Sequence, residues 1–331
     1  MAKLKFGAWI PTYAWSGGKS DPKNVKRIRA SIEKCEDHGI DVWVIDHLLS
    51  APGLYGNAWL EPLNALAFAA ALTRKVKIAT GILVLPIRHP VVLAKEISTL
   101  CHLSDNRYIF GVGPGWYARE YEVTGSRIEE RGRRTDEIIE AVTRLLTRPN
   151  ASYEGKYYQF NDVTIEPRPS KMPAIWVSGG SRAPDPTDHD VPVIALPVMD
   201  RIVKAGNWLS RCSGKQEWVK RDWLQLQRHA SNLGSDPKKL TFGHCNFIHL
   251  VDAANHEKAV VHSKAPFLRV MGTHRSYEHL QECYMIGSID RINTRIDDLR
   301  KAGLQYLVLG PVTDDPKQID LIATKIMRHF M

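Results

Sequence analysis

The 331-residue chain has nothing approaching the roughly 18 consecutive apolar residues that a membrane-crossing helix needs. Its opening, MAKLKFGAWIP, passes from two lysines into a strand-like run, without an apolar signal region or a small-residue cleavage site, so a soluble, cytoplasmic protein is expected. Cysteine is sparse and unpatterned. Cys35, Cys101, Cys212, Cys245 and Cys283 are odd in number, far apart and never in a CxxC spacing, which argues against a disulfide framework and a zinc site and leaves reduced thiols as the expectation. No strand–GxGxxG–helix unit with an acidic residue about 20 positions on is present, which excludes the usual dinucleotide-binding unit. Internal repeats and low-complexity tracts are absent. The nearest approach to a metal cluster is Asp188-His189-Asp190, but three adjacent side chains on a loop rich in Pro and Asp do not converge on one ion, and no metal is expected. The net charge of +9 and pI near 9.2 come from basic residues diluted along helices, such as Lys23, Lys26 and Arg27 or Arg131, Arg133 and Arg134, with acidic neighbours. That is a solvated basic surface rather than a nucleic-acid stripe, and its field favours an anionic small molecule.

What is present is alternation. Apolar runs at Phe6–Pro11, Val42–Asp46, Val76–Leu85, Tyr108–Gly113, Ala174–Ser178, Asn207–Ser210, Thr241–Val251 and Tyr306–Gly310 each lead into a helical pattern. Asp21 and Pro22 open the first helix and Gly39 closes it; further helices are expected at Glu61–Thr73, His89–His102, Ile128–Thr147, Lys215–Leu233, Ala253–Lys264, Ser288–Ala302 and Pro316–Phe330. Eight strands alternating with helices over this length predict an α/β fold, a single (β/α)8 barrel spanning 1–331 rather than a doubly wound sheet. Insertions are expected near 151–172, where aromatic alternation reads as a β-hairpin, near 182–200, where Arg182–Pro197 reads as a loop, and at 265–287, an aperiodic stretch that suits a lid.

In such a barrel the chemistry sits where each strand stops. The most informative stretch is YIFGVGPGWYAREYEVTG, Tyr108–Gly125: a strand empties through glycines into a helix start, bringing backbone N–H groups and a positive dipole end to a ligand that Trp116 can wall. Asp46-His47 ends the second strand. A histidine there can hold or move a proton near neutrality, with the adjacent carboxylate assisting. His244 and Asn246 share one face of their strand, opposite Cys245, and His244 is a further candidate for proton handling. His89, before Pro90, reads as a helix cap. Glu120 is placed to touch a ligand or to pair with Arg119 or Arg127. Trp9, Trp15, Trp59, Trp116 and Trp208 are available for an aromatic pocket.

In IDHLLSAP (45–52), KIATGILVLPIRHPVVLAKEISTL (77–100), FGVGPGWYAREYEVTG (110–125), ERGRRTDEIIEAV (130–142), YEGKYYQF (153–160) and PAIWVSGGS (173–181), the chain resembles the luciferase-like flavin-dependent monooxygenases and their deazaflavin-using relatives. The resemblance covers most of residues 6–210, with a weaker echo at 287–309. It implies an isoalloxazine ring against Thr80, Gly113 and Trp116, with Glu120 nearby, and a phosphate nested by Gly179, Gly180 and Ser181. It further implies a two-component monooxygenase: reduced FMN from a separate flavin reductase, O2 and a small organic substrate, in a homodimer. The competing reading is hydride transfer on a deazaflavin coenzyme without O2; a third is a non-catalytic flavin-binding accessory protein, against which Asp46, His47 and His244 speak. One departure stands out. Relatives follow the phosphate loop directly with a helix, whereas here Arg182–Pro197 intervenes.

Overall fold

A computed structural model of the chain describes residues 3–15, 22–51, 57–181, 194–251 and 255–331. Eight parallel strands run through it: β1 (Lys5–Trp9), β2 (Asp41–Val44), β3 (Ile78–Thr80), β4 (Tyr108–Gly113), β5 (Ala174–Gly179), β6 (Asn207–Ser210), β7 (Thr241–Ile248) and β8 (Tyr306–Pro311). Each pairs with the next, and β8 pairs with β1, so the sheet closes into the expected (β/α)8 barrel. The β4–β5 pairing, with Ala174 opposite Ile109, bridges the longest interruption in the chain.

These runs become strands because both of their faces are buried. Ala8, Val42, Val44, Ile78, Phe110 and Leu307 point outward into the helix layer, while Trp9, Trp43, Ala79, Ile109, Trp176 and Val308 fill the interior. Aromatic rings plug the N-terminal half. Trp43 meets Trp176 edge-on at 6.0 Å, its indole N–H donates to the Tyr306 hydroxyl (3.1 Å), and Tyr306 donates to Asp41 Oδ2 (2.5 Å). The barrel can therefore open only at the strand C-termini.

Around it lie α1 (Pro22–His38), α2 (Pro62–Leu72), α3 (Pro90–Leu103), α4 (Ala118–Val123), α5 (Arg131–Thr147), α6 (Leu196–Ala205), α7 (Gln216–Asn232), α8 (His256–Met271), α9 (Tyr277–Cys283), α10 (Ile289–Lys301) and α11 (Lys317–Leu321). His89 is the N-cap of α3, its Nδ1 accepting from the Val91 N–H at 3.3 Å. The hairpin is present as Ala151–Glu154 against Gln159–Val163. Three readings change. β3 stops at Thr80 and resumes only as Leu83–Val84, because Gly81 and Ile82 turn into the barrel mouth. Residues 196–205 are helical rather than loop, with Ile202 buried and Gly206 closing the helix; 182–193, with Asp188-His189-Asp190, lie outside the described residues, as does Asp21. The stretch 265–287 is not aperiodic: α8 continues through Pro266 because Phe267, Val270 and Met271 bury their side chains, and α9 follows behind a Ser276 cap. Among the described residues no helix is long and apolar enough to cross a membrane.

Candidate active site

A cavity of about 800 Å³ occupies the C-terminal mouth of the barrel, within the size range of small-molecule sites. Its floor is backbone. Gly81 and Gly113 carry the chain past it so closely that a Cβ would stand 2.6 Å from Trp9 Nε1 at Gly81 and 2.9 Å from Ile82 Cδ1 at Gly113. The Trp9 indole N–H faces this floor, buried and without a hydrogen-bond partner among the described residues. A flat heteroaromatic ring with acceptor atoms fits both features: glycines leave it room and an orphaned donor awaits it. Which face of each strand end a side chain occupies decides whether it arrives here, and the parity is not the expected one everywhere.

His47 reaches the cavity with 9% of its side chain exposed. Its ring lies over Trp59 (5.0 Å, 32°) and meets Trp116 edge-on (5.6 Å, 77°). The carboxylate hydrogen-bonded to it is Glu120, with Oε1 3.2 Å from Nδ1, and not Asp46. Glu120 is wholly buried, also accepts the Leu49 N–H at 3.2 Å, and leaves Oε2 without a partner among the described residues. It pairs with neither Arg119 nor Arg127 and does not line the cavity; it backs the imidazole. In this contact the imidazole Nδ1 is the donor to the carboxylate oxygen, which fixes the plane of the ring.

Asp46 also lines the cavity, but its work is structural. Its Oδ2 accepts from the Val84 N–H (2.8 Å) and from Arg88 Nη2 (3.1 Å), fastening β2 to the segment after β3. Burial lifts this carboxyl above the usual carboxylate range against the pull of Arg88.

Gly113, Trp116, Gly179 and Gly180 all reach the cavity as expected. Gly180 has φ of +144°, accessible in practice to glycine alone, and its added Cβ would lie 3.1 Å from Asp222 Oδ2. Ser181 does not reach it: its N–H and hydroxyl both donate to Asp222, at 2.6 and 2.7 Å, so a carboxylate already satisfies the outer part of the loop. Thr80 is turned outward, its hydroxyl donating to the Gly111 carbonyl (2.8 Å) beside Tyr108. His244 is outward too. It sits fully buried between Ser210 Oγ (2.6 Å from Nδ1) and Asn246 Nδ2 (3.1 Å from Nε2), while Cys245 and Phe247 on the other face of β7 line the cavity. Burial drives the His244 imidazole down to about 3, a neutral ring unsuited to proton exchange near neutrality. Trp208 stacks on Phe242 and Trp223 in the helix layer instead of entering the pocket, whereas Trp9, Trp59 and Trp116 do enter it.

Several cavity residues had no sequence signal. Arg131, Arg201 and Arg211 reach it from α5, α6 and the turn after β6, and His274 and Arg275 from the link between α8 and α9. Arg201 is buried and held by Asp136 (2.7 Å) and the Gly132 carbonyl (3.1 Å). The arginines in the lining suit a phosphate, and the aromatic wall around His47 suits the reacting partner.

The model of the luciferase-like monooxygenases matches residues 4–184, and the chain belongs to that family. An FMNH2-dependent dimethylsulfone monooxygenase of Pseudomonas putida is 29% identical over 192 residues, covering 54% of this chain and 52% of that protein. An F420-dependent glucose-6-phosphate dehydrogenase of Amycolatopsis mediterranei is 34% identical over 156 residues, covering 44% and 45%. The chain thus spans about half the length of these curated relatives. Among solved structures, the monooxygenase RslO1 of Streptomyces bottropensis superposes with a TM-score of 0.78 at 23% identity over 99% of this chain and 100% of that one. An F420-dependent secondary alcohol dehydrogenase gives 0.76 at 18% over 98% of each chain. These likenesses establish the fold.

Proposed function

We propose that the protein is a flavin-dependent monooxygenase that binds reduced FMN from a separate reductase and uses O2 to oxygenate a small organic substrate. The observation that carries this reading is the makeup of the cavity: close-packed glycines beside the orphaned Trp9 N–H, arginines in the lining, and His47 between two tryptophans. Gly81, Gly113 and Trp9 would hold the ring; Gly179, Gly180 and the lining arginines would hold the phosphate. Bound there, the reduced flavin supplies the two electrons that activate O2. The protein's own part is to exclude water with Trp59, Trp116 and Phe247 and to present the His47 imidazole, oriented by Glu120, as the group that accepts a proton. A separate reductase agrees with the lack of a nicotinamide-binding unit in the sequence. The relatives that use FMNH2 support the same assignment by similarity.

The test is incorporation of labelled oxygen. Mixing the protein with reduced FMN, a panel of small thioethers, sulfones, ketones and aldehydes, and 18O2 should yield a product carrying one label.

A second reading has one specific observation in its favour. A buried carboxylate behind an imidazole is an arrangement suited to taking the proton from an alcohol as hydride leaves its carbon, which is the chemistry of a deazaflavin-dependent dehydrogenase. Anaerobic reduction of the deazaflavin by an alcohol, with no label incorporated in the first experiment, would replace the oxygenase assignment.

A further inference from the structure

Two thiols to which the cofactor reading gives no role stand in the cavity wall. Cys245 points inward from β7, and Cys212 lies just past the end of β6 in the turn that carries Arg211 and Ser213. β6 and β7 are hydrogen-bonded neighbours with Ser210 in register with His244. Cys212 follows two residues after Ser210, so the turn leaving β6 runs beside the part of β7 that carries Cys245. The Cys245 thiol is within hydrogen-bond reach of both the Cys212 sulfur and the Ser210 carbonyl, the latter at 3.0 Å.

Their surroundings divide the roles. The hydrogen bond from Cys245, followed by the charges of Arg211 and Arg275, holds the thiol of half-buried Cys212 below its ordinary range, whereas burial pushes Cys245 well up. One sulfur is kept nucleophilic and its neighbour keeps its proton. The other cysteines differ. Cys35 and Cys101 lie in the helix layer with thiols raised by burial, and Cys283 is pushed up to about 11 for the same reason.

We propose that Cys212 and Cys245 are a peroxide-reactive dithiol in the cavity wall. The Cys212 thiolate attacks one oxygen of hydrogen peroxide, forming an S–O bond as the O–O bond breaks and hydroxide leaves. Cys245 then attacks the Cys212 sulfur, forming the S–S bond as the sulfenic oxygen leaves as water, so that two thiols and one peroxide become one disulfide and two waters. The bond ties the turn bearing Arg211 to β7. Gly214, in the same turn, is packed so that an added Cβ would lie 3.2 Å from the Ser181 carbonyl, so the link reaches the proposed phosphate end. A small-molecule thiol reverses it.

The experiment treats the whole folded protein with hydrogen peroxide, alkylates the remaining thiols and maps the peptides by mass spectrometry. The expected result is a Cys212–Cys245 linked peptide that dithiothreitol removes. In Cys245→Ser a sulfenic acid should accumulate at Cys212 and be trapped by dimedone; in Cys212→Ser, Cys245 should stay reduced. On the untreated wild-type protein, independent of any variant's folding, alkylation of Cys212 should outpace that of Cys35 by about tenfold or more. A Cys212–Cys283 link, no link at all, or alkylation of Cys212 no faster than Cys35 would overturn the proposal.

Discussion

His47 and Glu120 meet through Nδ1 and Oε1 at 3.2 Å, with Glu120 fully buried on the side of the imidazole away from the cavity. They are 73 residues apart in sequence and arrive from the segment after β2 and from α4, so the contact depends on β2 and β4 flanking β3 in the sheet. It ties the cavity-lining imidazole to a buried carboxylate.

If the His47 imidazole accepts a proton during turnover, His47→Ala should lower kcat by about 10²–10⁴-fold, the usual contribution of a general base. Affinity for the cofactor should stay close to wild type, and His47→Asn should not restore the rate. A histidine that only packs against Trp59 would instead lower the melting temperature and leave kcat per folded molecule unchanged.

Glu120→Gln keeps the shape and removes the charge. With the orienting carboxylate gone, kcat should fall by about 10–100-fold, the range typical when a partner that fixes an imidazole is lost, while KM and melting temperature change little. Steady-state kinetics with a parallel thermal melt separate this from a folding defect.

Gly180 tests the phosphate end. A side chain at φ of +144° and 3.1 Å from Asp222 must displace the loop. Gly180→Val should weaken reduced FMN by about 10–100-fold, equivalent to a lost charge-assisted hydrogen bond, and spare riboflavin, which has no phosphate. Equal losses for both ligands, by fluorescence titration, would remove the loop from phosphate binding.

The eight strands and the barrel were legible because barrel strands are apolar throughout and stand out from amphipathic helices. The same property hid which way their side chains point. A strand buried on both faces carries no alternation, so nothing in the sequence separates Cys245, which enters the cavity, from His244, which does not. Thr80 and Trp208 were misplaced for that reason. Residues in glycine turns at strand ends, Gly113, Gly179 and Gly180, did not depend on parity and were placed where they are found. Glu120 was ambiguous because Arg119 and Arg127 offered it surface partners; only the approach of β2 buries it. Arg211 and Arg275 come from loops whose course no periodicity describes.

His244 gives a pH test of that correction. Its folded-state value of about 3 lies below the roughly 6.5 of an unfolded histidine, so below pH 6.5 the unfolded chain takes up a proton that the folded chain refuses. Stability from this residue is therefore complete above pH 6.5 and is lost as the pH falls from there toward 3, by about 2 kcal/mol at pH 5. The melting temperature of wild type should drop more between pH 7 and pH 5 than that of His244→Gln. Parallel curves for the two proteins would mean that His244 is not held neutral.

The account turns on what occupies the mouth of the barrel. Its most direct test is an anaerobic titration of the protein with reduced FMN, followed by protein fluorescence, in wild type and in Gly113→Leu, whose side chain would fill the floor of the cavity beside Ile82. The account predicts saturable binding of reduced FMN, with quenching of the cavity tryptophans, that Gly113→Leu abolishes while the variant keeps its circular dichroism. Binding that is unaffected by Gly113→Leu, or tight binding of NADPH with no affinity for reduced FMN or a deazaflavin, would contradict it.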